Sequence, residues 1–284
     1  VRYLVTFFVT IALCFAAQHL ALRASGGRFT KSESNFFSSV GRIQAGTVGK
    51  PEVMLLGSSI TGRLPDRAQG FAGFVNMGCD GGSAMDALRA MDKEILPVAP
   101  VLVIEVNTLS RALEPIPSEV GQAMERPWFE IGMKVPAVSA YARPSAFFYS
   151  LLLARKVGDY GDPVNGESLE VNSLPVAVEA KESPRITPHE TELKEEIVAI
   201  VRRLSARGAK VVFVWMPPGR GDGSGIHDWI HATITESGSL WWDLGQEADA
   251  GLITLTDATH MSAPSAARTV ISLREGLHAL TPDP

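Results

Sequence analysis

The run Val101-Leu102-Val103-Ile104-Glu105-Val106-Asn107 constrains this chain most. A strand turns successive side chains to opposite faces. A run that is apolar and β-branched at almost every position therefore needs cover on both faces, as a central strand of a parallel α/β sheet has. The flanking sequence fits. Ser83 caps an expected helix over Ala84–Glu94, with Met85, Leu88, Met91 and Ile95 along one face, and Pro97 and Pro100 separate it from the strand. Earlier, Gly73–Met77 is a second short apolar run. Before that, Val53-Met54-Leu55-Leu56 runs into Gly57-Ser58-Ser59, which reads as a buried strand entering a tight turn that presents a hydroxyl at its carboxyl end. Open α/β sheets place their sites at that edge.

The alternation resumes at Thr187-Pro188-His189-Glu190, an N-cap, first-turn proline and capping-box acid in register. Leu193, Ile197, Ile200, Val201 and Leu204 supply the buried stripe, and Gly208 ends the helix. A strand over Ala209–Trp215, a helix over Ile226–Ser237, a strand over Leu240–Leu244 and a last helix over Ser265–Ala279 complete an α/β domain with a parallel sheet of about five strands. Between Asn107 and Thr187 the pattern stops. This proline-rich stretch is too long for a plain loop and reads as a cap-like insertion at about 111–186. Its one clear helix, Ser145–Lys156, is expected to bury Phe147, Phe148, Leu151 and Leu152 against the main domain, with contact to a membrane or a substrate as the alternative for that face.

Residues Tyr3–Leu22 form a nearly uncharged apolar run about 20 residues long, enough to cross a bilayer as a helix. Residues 1–24 are thus expected to be a membrane anchor or signal-anchor, residues 25–50 a stalk or entry segment with one helix near Glu33–Ile43, and residues 51–284 the α/β domain. Arg2 precedes the span while Arg23, Arg28 and Lys31 follow it, so charge asymmetry does not argue for export of the carboxyl-terminal part. A net charge of −5, with no basic stripe, leaves no electrostatic footprint for nucleic acid. Two cysteines, Cys14 and Cys79, build no disulfide framework.

A serine hydroxyl becomes a nucleophile when a base stands within hydrogen-bond reach and a third group orients that base. Asp257-Ala258-Thr259-His260 offers both, in a polar turn after the last strand. His227-Asp228-Trp229-Ile230-His231 imitates a zinc helix, but its aspartate is short for a general base and no third ligand is spaced downstream, so neither metal nor cofactor is expected. Trp241 and Trp242 could stack on a sugar, yet neighbours in a strand face opposite ways, so at least one belongs to the core.

Four blocks in order carry a family resemblance. Gly57-Ser58-Ser59, Asn76-Met77-Gly78-Cys79-Asp80-Gly81, Glu105-Val106-Asn107 and Asp257-Ala258-Thr259-His260 resemble the four motifs of the SGNH (GDSL-type) hydrolases. Ser58 stands where the family usually has aspartate, and Glu105 and Thr108 flank Asn107 where it commonly has glycine and aspartate, a change expected to alter how the asparagine is held. The resemblance implies a three-layer α/β/α, flavodoxin-like sandwich. It implies Ser59 as nucleophile, His260 and Asp257 as its partners, and Ser59, Gly81 and Asn107 as the oxyanion hole. The anchor, the Gly-Ser-Ser turn and the Glu105-Val106-Asn107 block look more like membrane-anchored members that work in cell-envelope polymer acylation, polysaccharide O-acetylation included, than like secreted lipases. That likeness implies an extracytoplasmic domain on the inner membrane, a glycan or small acyl ester as substrate, and a membrane-bound O-acyltransferase as partner. A general carboxylesterase and a non-catalytic glycan-binding or assembly subunit are the alternatives on the same scaffold.

Overall fold

The computed structural model describes residues 1–24, 31–114, 118–157, 160–169, 174–177, 187–219, 227–247, 250–257 and 259–280. The amino-terminal half contains α1 (Arg2–Ala24), α2 (Asn35–Gly46), β1 (Val53–Leu56), α3 (Ser59–Gly62), β2 (Phe74–Asn76), α4 (Ala84–Asp92) and β3 (Val101–Glu105). Then come α5 (Glu119–Met124), α6 (Pro127–Lys134), α7 (Pro144–Val157) and β4 (Val176–Ala177). The remainder holds α8 (Pro188–Ala206), β5 (Lys210–Trp215), α9 (Asp228–Ser237), β6 (Leu240–Asp243), α10 (Leu244–Glu247) and α11 (Ala263–Leu277).

The strands form one sheet in the order β2-β1-β3-β5-β6-β4. All neighbours are parallel except β4, which pairs antiparallel with β6 through Val176 and Ala177. The expected parallel sheet of about five strands is present as β2, β1, β3, β5 and β6, and among the described residues a sixth strand joins it antiparallel at the edge. The extra one is a two-residue edge strand inside the proline-rich stretch, too short to leave a periodic signal.

Every residue of β1 and β3 is buried, which is why their runs are continuously apolar. Met54, Leu56, Leu102, Ile104, Val211 and Phe213 face one cluster, with α2, α4, α8 and α9 packed over them. Val53, Leu55, Val101, Val103, Val212 and Val214 face the other, under α11. The capping box expected at Thr187/Glu190 is formed, and the N-cap expected at Ser83 is formed and closed into a box by Asp86. Trp242 lies in the core and Trp241, facing the other way, is half-buried. Within residues 25–50, expected as a stalk or entry segment, α2 packs into the body, with Val40 and Ile43 completely buried.

The described parts of residues 111–186 run over both faces. α5 and α6 pack on α2, and the Gln44 side chain ties down α6 and the turn at 140–142 by donating to Phe129 O at 3.0 Å and accepting from Ala140 N at 2.8 Å. Farther on, Leu169 N donates to Ser272 Oγ of α11 at 2.7 Å. One expectation fails here. α7 forms, but Phe148, Leu151 and Leu152 stay exposed, at 64%, 44% and 69%.

Candidate active site

The parallel register brings the carboxyl ends of β1, β3 and β5 to one edge: Leu56 pairs with Ile104, and Glu105 with Val214. Beyond Leu56 the chain turns through Gly57 and Ser58 into the short helix α3. Ser58 is its N-cap, accepting from Ile60 N at 3.1 Å. The fully buried Glu105 holds this turn from below. Its Oε2 accepts from Ser58 N (3.0 Å), Thr61 N (3.1 Å) and Thr61 Oγ1 (2.6 Å), and its Oε1 from Ser58 Oγ (2.8 Å) and Thr108 Oγ1 (2.9 Å). Gly62 N donates to Ser58 O at 2.8 Å. The amides of Ser58, Ile60, Thr61 and Gly62 are thus engaged, whereas that of Ser59 has no acceptor among the described residues. Gly57 is required because a Cβ there would overlap the Thr61 hydroxyl and the Glu105 carboxylate.

Asn76, at the end of β2, secures the other end of α3. Its Nδ2 donates to Thr61 O (2.6 Å) and Leu64 O (2.7 Å), while its Oδ1 accepts from Gly78 N (2.9 Å). Gly78 lies so close to α3 that a Cβ would overlap Gly62 N and Ser58 O. Beside it a buried pair, Arg42 and Asp80 at 3.3 Å, fixes the loop, and Asp80 N donates to Ser39 Oγ at 2.7 Å. Gly81 follows with φ +84°, and its N–H has no acceptor among the described residues. Asn107 exchanges two hydrogen bonds with Met216 at the end of β5, Nδ2 to O and N to Oδ1, each 2.8 Å, which leaves one Nδ2 hydrogen uncommitted. Glu105 was expected to influence how Asn107 is held. Instead Met216 holds Asn107, and Glu105 holds the serine turn.

The histidine arrives on a closed loop. Leu255 bridges Met261, Thr256 N donates to His260 O at 2.9 Å, and Ser262 N to Thr254 O at 2.8 Å. Within it Asp257 Oδ1 accepts from Thr259 N and His260 N, both at 2.8 Å, and Oδ2 lies 2.9 Å from His260 Nδ1. His260 Nε2 lies 2.8 Å from Ser59 Oγ. A carboxylate accepting at Nδ1 keeps the imidazole proton there, so Nε2 presents a lone pair to the serine hydroxyl. The hydrogen bond from His260, followed by those two amides, holds the Asp257 carboxyl well below the usual carboxylate range. Arg63, just past α3, completes the link across the site: it stands 3.7 Å from Asp257 and donates to Thr256 Oγ1 at 3.0 Å. Lys31, half-buried, has its ammonium pKa lowered by burial and senses Asp80, Arg63, Arg42 and Asp257.

The structure therefore brings Ser59, His260 and Asp257 together and leaves donors at Ser59, Gly81 and Asn107. Ser59, His260 and Asp257 so arranged can deprotonate a hydroxyl, and uncommitted N–H donors are the kind of group that holds an oxyanion. Sequence reasoning missed the work of Glu105 and Asn76. Their signal was a polar residue ending an apolar run, since a buried polar group needs partners. Arg63 had no such signal. His227 is the residue before α9 and His231 lies in its first turn, with no group of three metal-binding side chains among the described residues. The chain matches no protein-family model, no curated protein and no solved structure.

Proposed function

We propose that this chain is a membrane-anchored serine O-acyltransferase or esterase of the SGNH type, built on that family's three-layer sandwich. It acts on an acyl ester, acetyl in our reading, of a cell-envelope or exopolysaccharide. One observation carries the reading: Ser59 Oγ and His260 Nε2, 201 positions apart in the chain, meet at 2.8 Å with Asp257 on the far side of the ring. His260 takes the Ser59 proton as the hydroxyl attacks the ester carbonyl. The oxyanion receives the Ser59 and Gly81 amides and the free Asn107 hydrogen, each such donor contributing about 3–4 kcal/mol to the transition state. His260 protonates the leaving alcohol, then deprotonates the acceptor that takes the acyl group from Ser59.

The acceptor separates the two activities: water for an esterase, a sugar hydroxyl for a transferase. Asp257 is half-exposed and Arg63 about one-third exposed, and an open polar margin of this kind suits a glycan better than the deep apolar cleft of a lipase. In this reading α1, which is long and apolar enough to span a membrane, anchors an extracytoplasmic domain, and a membrane-bound O-acyltransferase supplies acyl groups. The test is the full chain and its Ser59→Ala variant on a small acetyl ester. The variant is expected to lose at least about 10³-fold in kcat, and equal rates would remove Ser59 from the reaction. Acetyl transfer to an oligosaccharide faster than to water would then select the transferase.

A further inference from the structure

The apolar part of α1 lies between Arg2 and Arg23 and is about 20 residues long, which at 1.5 Å per residue is about the 30 Å of a hydrocarbon core. Its last turn is already engaged with the body. Ala21 is buried, and Leu22 packs on Tyr141 and Ala146. Around them α1 meets the turns at 136–138 and 140–142 and the helix α7. A helix that uses its whole apolar length to cross leaves no spacer, so the surface around its carboxyl end is held at the headgroups, whichever side of the membrane that is.

That surface is apolar. α7 exposes Phe148, Leu151 and Leu152, spaced three and four apart on one face. α6, which leads into the 136–138 turn, exposes Trp128 and Ile131, and its ion-paired Glu130 and Lys134 stand beside them. A row of large apolar side chains beside a membrane span matches an interfacial helix, and tryptophan favours that depth.

We infer that α6 and α7 rest in the headgroup–acyl boundary of the bilayer that α1 crosses, seating the body on the membrane with no stalk between them. The inference rests on α1 being a membrane span. The test places single nitroxide labels at Leu152, at Ile131 and, as control, at the exposed Glu195 of α8, in the full chain with Cys14→Ala; the buried Cys79 is left native. The chain is reconstituted in phosphatidylcholine/phosphatidylglycerol vesicles, and label collisions with oxygen and with a water-soluble nickel chelate are compared. The oxygen-to-nickel ratio at Leu152 and Ile131 should exceed that at Glu195 several-fold. Equal ratios in a chain that resists carbonate extraction would overturn the seating while leaving the anchor intact. Dipolar broadening between Leu152 labels would put a second copy on this face and overturn it as well. Release of the chain by carbonate would sink both the anchor and the seating.

Discussion

Glu105 brings a carboxylate into the core, where five donors meet it, and two of those donors are backbone amides of the serine turn. Glu105→Gln keeps the shape but points an NH2 group at groups that also donate. Stability should fall by about 1–3 kcal/mol in a urea melt. Because the turn that aims Ser59 is loosened, kcat on an acetyl ester should fall about 10- to 100-fold with KM unchanged. A loss of stability with kcat intact would make Glu105 purely structural. Asp257→Asn tests the other end of the relay. The amide no longer stabilises a charged imidazole or enforces the tautomer, so kcat should drop about 10⁴-fold, with overall folding retained by circular dichroism.

Among the elements, α8 shows how much local chemistry sets. Thr187 Oγ1 accepts from Glu190 N at 3.3 Å, and Glu190 accepts from Thr187 N at 2.7 Å, a closed box within four residues. Thr187→Ala should cost about 1 kcal/mol, a fall of about 2–4 °C in Tm, with specific activity on an acetyl ester unchanged. Elements of this kind were legible because their signals lie within a turn or two of chain. The edge strand β4 was not, since two residues have no period and only the neighbouring β6 makes them a strand. α7 was half legible. Its spacing announces a helix with an apolar face, but whether that face meets protein or something else depends on neighbours far along the chain.

Charge is spread over the fold in pairs whose folded-state carboxyl pKa values are depressed: Asp92 by its hydrogen bond from Arg203, Glu236 by that from Lys194, and Asp257 by that from His260. Such groups stabilise the fold above the unfolded pKa near 4 and lose that contribution as pH falls through their folded values. Asp66, whose pKa burial raises, acts in the opposite sense. With more of the described carboxyls depressed than raised, Tm should stay level from pH 7 to about pH 5 and decline below about pH 4; a Tm that rises on acidification would show Asp66 dominant. Continuous apolar runs such as Val101–Ile104 announced strands covered on both faces, and Thr187 and Ser83 announced their helices, because burial on two faces and helix capping each leave a pattern within a few residues. Ser59 and His260 were nameable as candidates, but their 2.8 Å contact depends on how β1 and the 254–262 loop pack, which no local pattern encodes. The same holds for Glu105, whose partners in the serine turn lie 47 and 44 positions earlier in the chain, and for the exposed face of α7: long-range packing, not local propensity, chooses these neighbours.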